Sequence, residues 1–284
     1  MKKRNNYLEQ VEEYLDWCSS TRGMSPVTIM EKRWTFNRFY YDTGIKDLRN
    51  LTNALLSSWL KERAEHGAGP VSLNRSISNV RCIVAYHREM GLIIPIKLSL
   101  VKRMKEPANK QVFYTRKQIM AAARAGDQTA ELMIRIAFDT GMRAGELTKL
   151  RLSEIHGQQL NFIAKGRIKR ETYISRETAR LLENYVDDYH ITDYLWPGRF
   201  GEGPMAYNTI RRKIEEPFHR IGLLDFHPHA IRHSYVADLE ERGASVDEIF
   251  ALIGHSNIKS TQIYLHRIRQ SKVLVELHKK YRKW

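Results

Sequence analysis

The sequence predicts a mostly helical chain of two domains, the second carrying a small β-sheet or hairpin. Apolar residues recur at helical spacing through most of the 284 residues, between recognisable start and stop signals. A polar, basic, proline-containing stretch, Val101 to Gln111, interrupts them. Between Leu160 and Ser175 the helical pattern gives way to two short strand-like runs, Leu160-Asn-Phe162 and Thr172-Tyr-Ile174, around a Lys165-Gly166-Arg167 turn. A chain of this length is also more readily organised around two cores than one. The expected division is a helical domain over 1–100, a linker over 101–112 and a second domain over 113–284.

The first helix is read from Tyr7 to Ser20. Ser25-Pro26 opens the second, a cap residue followed by proline at the first helical position; this helix carries Arg33, Trp34, Phe36, Arg38, Phe39 and Tyr40. Thr52 starts a third, through Leu56, Trp59 and Leu60 to Glu65, and His66 to Pro70 reads as a break. A fourth is expected from Ser72 to Met90, stopped by Gly91. Leu73, Ile77, Val80 and Val84 mark its buried face, Arg75 points away from that face, and Arg81 and Arg88 flank one edge. In the second domain Thr115 and Gln118 fit a capping box, and Ser245 with Glu248 makes another. Helices are expected from Thr115 to Gly126, from Ala130 to Asp139 with Gly141 as the stop, from Ala144, after Ser175, from Ala206 to Arg220, from His229 to Arg242 and from Ser245 to Ile253. Arg267 to Trp284 has the pattern of a last basic amphipathic helix.

The formal net charge is +15. Residues 1–110 hold 19 Lys and Arg against 11 Asp and Glu, a net +8, and the remainder carries +7. Both halves are basic, which points to a polyanion touched by both. No basic amphipathic helix with exposed Trp or Phe suggests a membrane surface, and no run of about 18 apolar residues suggests a span. The basic start leads into Tyr7-Leu-Glu-Gln10 with no apolar core, so a secretory signal is not expected and a cytoplasmic location is. Cys18 and Cys82 fall in helical patterns and read as reduced thiols, neither a disulfide framework nor a zinc site.

The chemistry-bearing residues cluster in the second domain. Arg143 follows a hydrophobic helix in Gly141-Met-Arg143-Ala-Gly-Glu146-Leu147. An arginine in so apolar a setting needs a partner; Glu146 can orient it and a phosphate can complete it. In His229-Ala-Ile-Arg232-His233, helical spacing projects both histidines and the arginine together. That spacing also suits zinc, but no glutamate stands inside the motif and a guanidinium between the ligands would repel a cation. An anion site with a proton-transferring histidine is the better reading. Gly254-His255 follows a helix end, and Tyr264 stands nine residues on. Lys165 lies in a basic turn with Arg167, Lys169 and Arg170 nearby, which reads either as a contact to a nucleic-acid backbone or as a general acid.

In this order these residues resemble the tyrosine recombinases, the family of phage integrases and the Xer proteins. The pieces that carry the resemblance are Thr140-Gly-Met-Arg143-Ala-Gly-Glu146-Leu147, Ala164-Lys165-Gly166, His229-Ala-Ile-Arg232-His233-Ser234, Leu252-Ile-Gly-His255 and Thr261-Gln-Ile-Tyr264-Leu-His266. The resemblance implies a two-domain DNA clamp with a helical core-binding domain and a catalytic domain. It implies that Arg143 and Arg232 grip the scissile phosphate, that Tyr264 attacks phosphorus to form a 3′-phosphotyrosyl link, and that Lys165 protonates the leaving oxygen. His229 would assist proton transfer, His255 would hydrogen-bond the phosphate, and Glu146 and His233 would support the pocket. Lys169 rivals Lys165, which is preferred because it precedes the turn glycine. No metal, ATP or other cofactor is implied. Double-stranded DNA, a homotetramer on two sites and accessory DNA-bending proteins are the implied partners, with 267–284 available to dock into a neighbouring subunit. Backbone contacts to DNA are expected from Arg33, Arg38, Arg75, Arg81, Arg167, Lys169, Arg211 and Arg212.

The implied activity is site-specific strand exchange, serving integration and excision of a mobile element or Xer-type dimer resolution. Two alternatives stand beside it. One is a type IB topoisomerase-like relaxing enzyme, disfavoured by the compact first domain and the Xer-like motifs. The other is a non-catalytic DNA-binding regulator on the same fold, which has no use for the whole set of Arg143, Lys165, His229, Arg232, His255 and Tyr264.

Overall fold

The computed structural model describes residues 6–107, 112–164 and 168–253. Lys165, Gly166, Arg167, His255, Tyr264 and the tail 267–284 lie outside the described residues. The chain separates into two compact units, Met1–Asn109 and Lys110–Trp284.

The first unit holds four helices, α1 (Asn6–Ser20), α2 (Pro26–Thr43), α3 (Asn53–Glu65) and α4 (Pro70–Glu89). The Ser25 and Thr52 hydroxyls accept from the amides of Thr28 and Leu55, satisfying end groups that a helix cannot pair internally. Gly44 closes α2 in the left-handed region, with φ 65°. Leu73, Ile77, Val80 and Val84 are buried as expected, with Tyr7, Val11, Tyr14, Phe36, Phe39 and Trp59. Phe39 and Trp59 meet edge to face at 4.8 Å, the arrangement that ring quadrupoles favour. α4 begins earlier than the expected Ser72. Gly69 takes the extended cap conformation and Pro70, whose φ is already helical, fills the first turn, so the apparent break is itself the start of the helix.

The second unit begins with α5 (Arg116–Ala125), where the Thr115–Gln118 capping box forms in full. α6 (Gln128–Thr140) starts ahead of the expected Ala130 because Asp127 caps it, its carboxylate accepting from the Ala130 amide at 2.7 Å. α7 (Ala144–Leu147) follows, then an antiparallel sheet in the order β1 (Ile155–His156), β2 (Gln159–Ala164), β3 (Ile168–Tyr173). The hairpin is longer than the sequence suggested and has a third, two-residue strand. Its register pairs Leu160 with Thr172 and Phe162 with Arg170, all four of them buried. α8 (Arg176–Asp188), α9 (Tyr207–Arg220), α10 (His229–Glu241) and α11 (Val246–Ile253) complete the described part. α6 and α10 run through the middle of the core, and Met133, Ile136, Phe138, Ile231 and Val236 are almost wholly buried. No helix among the described residues is long and apolar enough to cross a membrane.

Candidate active site

The site is built where α6 ends. Thr140 donates its hydroxyl back to the Ile136 carbonyl at 2.6 Å and accepts from the Met142 amide at 3.2 Å, turning the chain out of the helix. Gly141 takes φ 63°, and the Tyr235 ring covers it so closely that a Cβ would fall 2.5 Å from a ring carbon. Glycine is therefore required twice, by backbone conformation and by space. The turn delivers Arg143 to the start of α7. Its amide donates to Glu146 Oε2 and its Nη1 to Glu146 Oε1, each at 2.9 Å. The Arg143 side chain keeps 32% of its surface exposed while Glu146 keeps 7%. A buried carboxylate thus aims a half-exposed guanidinium.

α10 supplies the second cation. Arg232 is buried, with Nη1 donating to the Gly141 carbonyl at 2.6 Å and Nη2 to the Ile253 carbonyl at 2.8 Å. His233 is buried beside it, and His229 reaches solvent with its ring edge-on to His233 at 4.7 Å. The helical spacing brings these three residues together as expected, and His227 joins them, its ring 6.2 Å from that of His233.

A third cation was not singled out from the sequence. Arg170 on β3 is buried, with 5% of its side chain exposed. Its Nη2 donates to the Leu252 carbonyl at 2.6 Å and more weakly to Thr140 at 3.4 Å, its Nη1 lies 3.8 Å from Glu146 Oε2, and its guanidinium sits 5.0 Å from the Phe162 ring centre. The available signal was two-residue alternation, since Arg170 and Thr172 share the inward face of the strand.

These groups condition one another. Burial alone pushes the Glu146 carboxyl up, but the bonds from Arg143, its charge and that of Arg232 hold it below the usual carboxylate range. Desolvation lowers Arg170. Desolvation, then the charges of Arg232 and Arg143, lower His229, so its imidazole is neutral and able to accept a proton near pH 7. Desolvation and the neighbouring His229, His227 and Arg232 push His233 down to about 3. Among the described residues three guanidiniums act on the Glu146 carboxylate, an arrangement that favours an anion. Among the described residues no group of three or more His, Cys, Asp or Glu could hold a metal ion.

The sequence model of the phage integrase family matches residues 113–270, more than half of the chain and all of this constellation. The chain belongs to that family, the tyrosine recombinases. It is similar to a tyrosine recombinase of Agathobacter rectalis, 23% identical with 96% of this chain and 97% of that protein covered. It is 29% identical to the tyrosine recombinase XerA of Saccharolobus solfataricus over 81% of this chain and 79% of that one. Among solved structures, a lambda integrase tetramer bound to a Holliday junction matches with a TM-score of 0.73 at 16% identity, covering 93% of this chain and 78% of that one. XerH bound to palindromic difH in a post-cleavage complex gives 0.72 at 16%, covering 98% and 86%. These structural likenesses establish the fold.

The remaining residues singled out from the sequence are scattered over the surface of this recombinase. Arg33 pairs with Glu12 at 2.5 Å, Arg38 with Asp42 at 2.9 Å and Arg211 with Glu215 at 2.8 Å. Arg75, Lys169 and Arg212 are exposed. Arg81 is half-buried, its Nη2 donating to the carbonyls of Leu98 and Val101, where it ties α4 to the segment that follows.

Proposed function

We propose that this recombinase cleaves and rejoins DNA strands at specific sites through a 3′-phosphotyrosine intermediate. The observation that carries the reading is the convergence of Arg143, Arg170 and Arg232 on the single carboxylate of Glu146. Arg143 is the exposed member and Arg232 the anchored one; together they hold the scissile phosphate and stabilise the charge that builds in its transition state. The Tyr264 oxygen attacks phosphorus, forming the P–O–Tyr bond as the bond to the 5′ oxygen breaks. The tyrosine proton passes to His229, whose lowered pKa keeps the imidazole neutral and its nitrogen open to a proton. Lys165 returns a proton to the leaving 5′ oxygen, and His255 hydrogen-bonds the phosphate. Glu146 and His233 support the pocket. The covalent link conserves the phosphodiester energy, so neither metal nor ATP is called for.

Residues 1–100 serve as a core-binding domain, 101–112 as a linker and 113–284 as the catalytic domain. Both units contact DNA, with Arg33, Arg38, Arg75, Arg81, Arg167, Lys169, Arg211 and Arg212 as candidate backbone contacts. The working assembly is a tetramer on two DNA sites in the cytoplasm, with 267–284 docked into a neighbour and accessory DNA-bending proteins assisting. Its biological role is integration and excision of a mobile element or Xer-type dimer resolution.

The test is covalent trapping. Wild type and Tyr264→Phe are incubated with nicked DNA carrying the candidate site and run on a denaturing gel. A DNA-linked band from wild type alone supports the reading. Site-bound protein that never forms such a band would return the chain to the regulator alternative.

A further inference from the structure

We infer that Arg170 is a positioning residue for strand cleavage, holding the end of α11 against the Arg143–Glu146 turn. The inference rests on the reading under Proposed function and adds to it a residue which that reading leaves without a role.

Two helices end at this place, and their last carbonyls face the same cations. Arg232 bridges the Gly141 and Ile253 carbonyls, and Arg170 bridges those of Thr140 and Leu252. The two guanidiniums form adjacent rungs between the C-terminal ends of α6 and α11. Such ends carry unpaired carbonyls and the negative pole of the helix, so two of them brought together repel unless cations stand between. The described part of α11 is eight residues long. His255 follows its last residue by two positions.

The rung from β3 differs from the one from α10 in a further respect. Nη1 of Arg170 is buried with no hydrogen-bond partner among the described residues, and lies 3.8 Å from the carboxylate that aims Arg143. A buried donor left in that position is costly unless something else holds the group there. The two carbonyls do so. Arg170 therefore touches, through one planar group, the turn before Arg143, the partner of Arg143 and the exit of α11. Removing it leaves Arg232 as the remaining rung among the described residues, and its guanidinium, needed by phosphate, then shifts. A lysine cannot reproduce this, since one ammonium in place of Nη2 could meet the two carbonyls but could not also set a second cationic nitrogen beside Glu146.

Arg170 sits in the hairpin that also carries Lys165, so a role through the leaving-group proton must be told apart from a role through α11. The experiment compares wild type, Arg170→Lys, Lys165→Ala, Tyr264→Phe and Phe162→Leu in the full chain. Covalent product is followed at saturating protein on ordinary DNA and on DNA with a bridging 5′-phosphorothiolate at the cleavage point, whose thiolate leaves without an acid. Arg170→Lys is expected to bind DNA within about twofold of wild type and to cleave on the order of 10²-fold more slowly, the loss that follows a small displacement of reacting groups. The defect persists on the phosphorothiolate, whereas that of Lys165→Ala largely disappears. Phe162→Leu disturbs the same packing and cleaves within a few-fold of wild type. An Arg170→Lys defect repaired by the phosphorothiolate would assign the residue to the hairpin and overturn the inference. So would equal losses in Arg170→Lys and Phe162→Leu, which mean packing alone. Wild type that forms no product while bound to its site instead removes the underlying reading.

Discussion

Both units bury cations, and they do so for different ends. In the first unit Lys32 donates to the Tyr14 hydroxyl and Asn79 Oδ1 at 3.3 and 3.2 Å. Arg63 donates to Ser76 and Ser72 and lies 4.9 Å from the Trp59 ring centre. Each is served by neutral acceptors and an aromatic face at its own place between helices. In the second unit Arg135 is balanced by Glu131 and Glu177, but Arg143, Arg170 and Arg232 share one carboxylate. Burial of a cation therefore does not by itself mark a site; convergence of several on too little negative charge does.

The largest effect that sharpens this contrast is expected at Arg232. Arg232→Lys loses two planar bonds to carbonyls and the fork that matches a phosphate. Covalent complex formation should fall by roughly 10²–10³-fold with DNA affinity altered far less. Arg63→Lys in the first unit should cleave at the wild-type rate under the same saturating conditions. Parallel single-turnover assays check both, and equal losses would erase the distinction between the units.

Glu146→Gln comes next. It keeps the shape of the side chain and removes the charge on which three guanidiniums depend. The uncompensated buried charge should destabilise the protein by about 3 kcal/mol. Bound DNA should restore part of that, because a phosphate supplies the missing anion. Thermal melts with and without duplex measure it; a destabilisation that DNA leaves untouched would mean the carboxylate is not standing beside an anion site.

The third effect is one of pH. His233 titrates near 6.5 when unfolded and at about 3 in the folded protein. Below pH 6.5 the unfolded chain binds a proton that the folded chain refuses. Stability from this group is thus complete above 6.5 and declines as pH falls toward 3, by about 2 kcal/mol at pH 5. His229 and His227 are lowered as well and act in the same direction. Melts from pH 7 to 5 should show His233→Gln with a shallower decline than wild type; identical slopes would place the pH dependence elsewhere.

How much of this was legible follows from the range of each interaction. The caps at Ser25, Thr52, Thr115 and Ser245 could be read because the cap hydroxyl and the amide that donates to it lie three residues apart. Arg143 with Glu146 was legible for the same reason, and so was the shared face of His229, Arg232 and His233. Arg170 was not. Its burial depends on the register that sets it opposite Phe162, and its acceptor at Leu252 is 82 residues away. Arg81 was placed at an edge of α4, but its acceptors at Leu98 and Val101 belong to a segment without pattern. β1, two residues long, is too short to show a period.

The smallest effect tests the surface of the first unit, where sequence and structure agree that Arg75 points outward on α4. Arg33 and Arg38 already face carboxylates, so a phosphate must displace an ion pair to reach them, and exposed pairs of that kind contribute at most about 1 kcal/mol. Arg75 has no such competitor, since no ion pair joins it to another described residue. Arg75→Ala should weaken DNA binding evenly across sequences and reduce the slope of log affinity against log salt by about 1. Arg33→Ala should change that slope by less, because the freed Glu12 repels the same backbone that the arginine attracted. Binding isotherms across a salt series decide it. An unchanged slope for Arg75→Ala would take the outward face of α4 out of the DNA footprint and leave the charge of the first unit to act elsewhere.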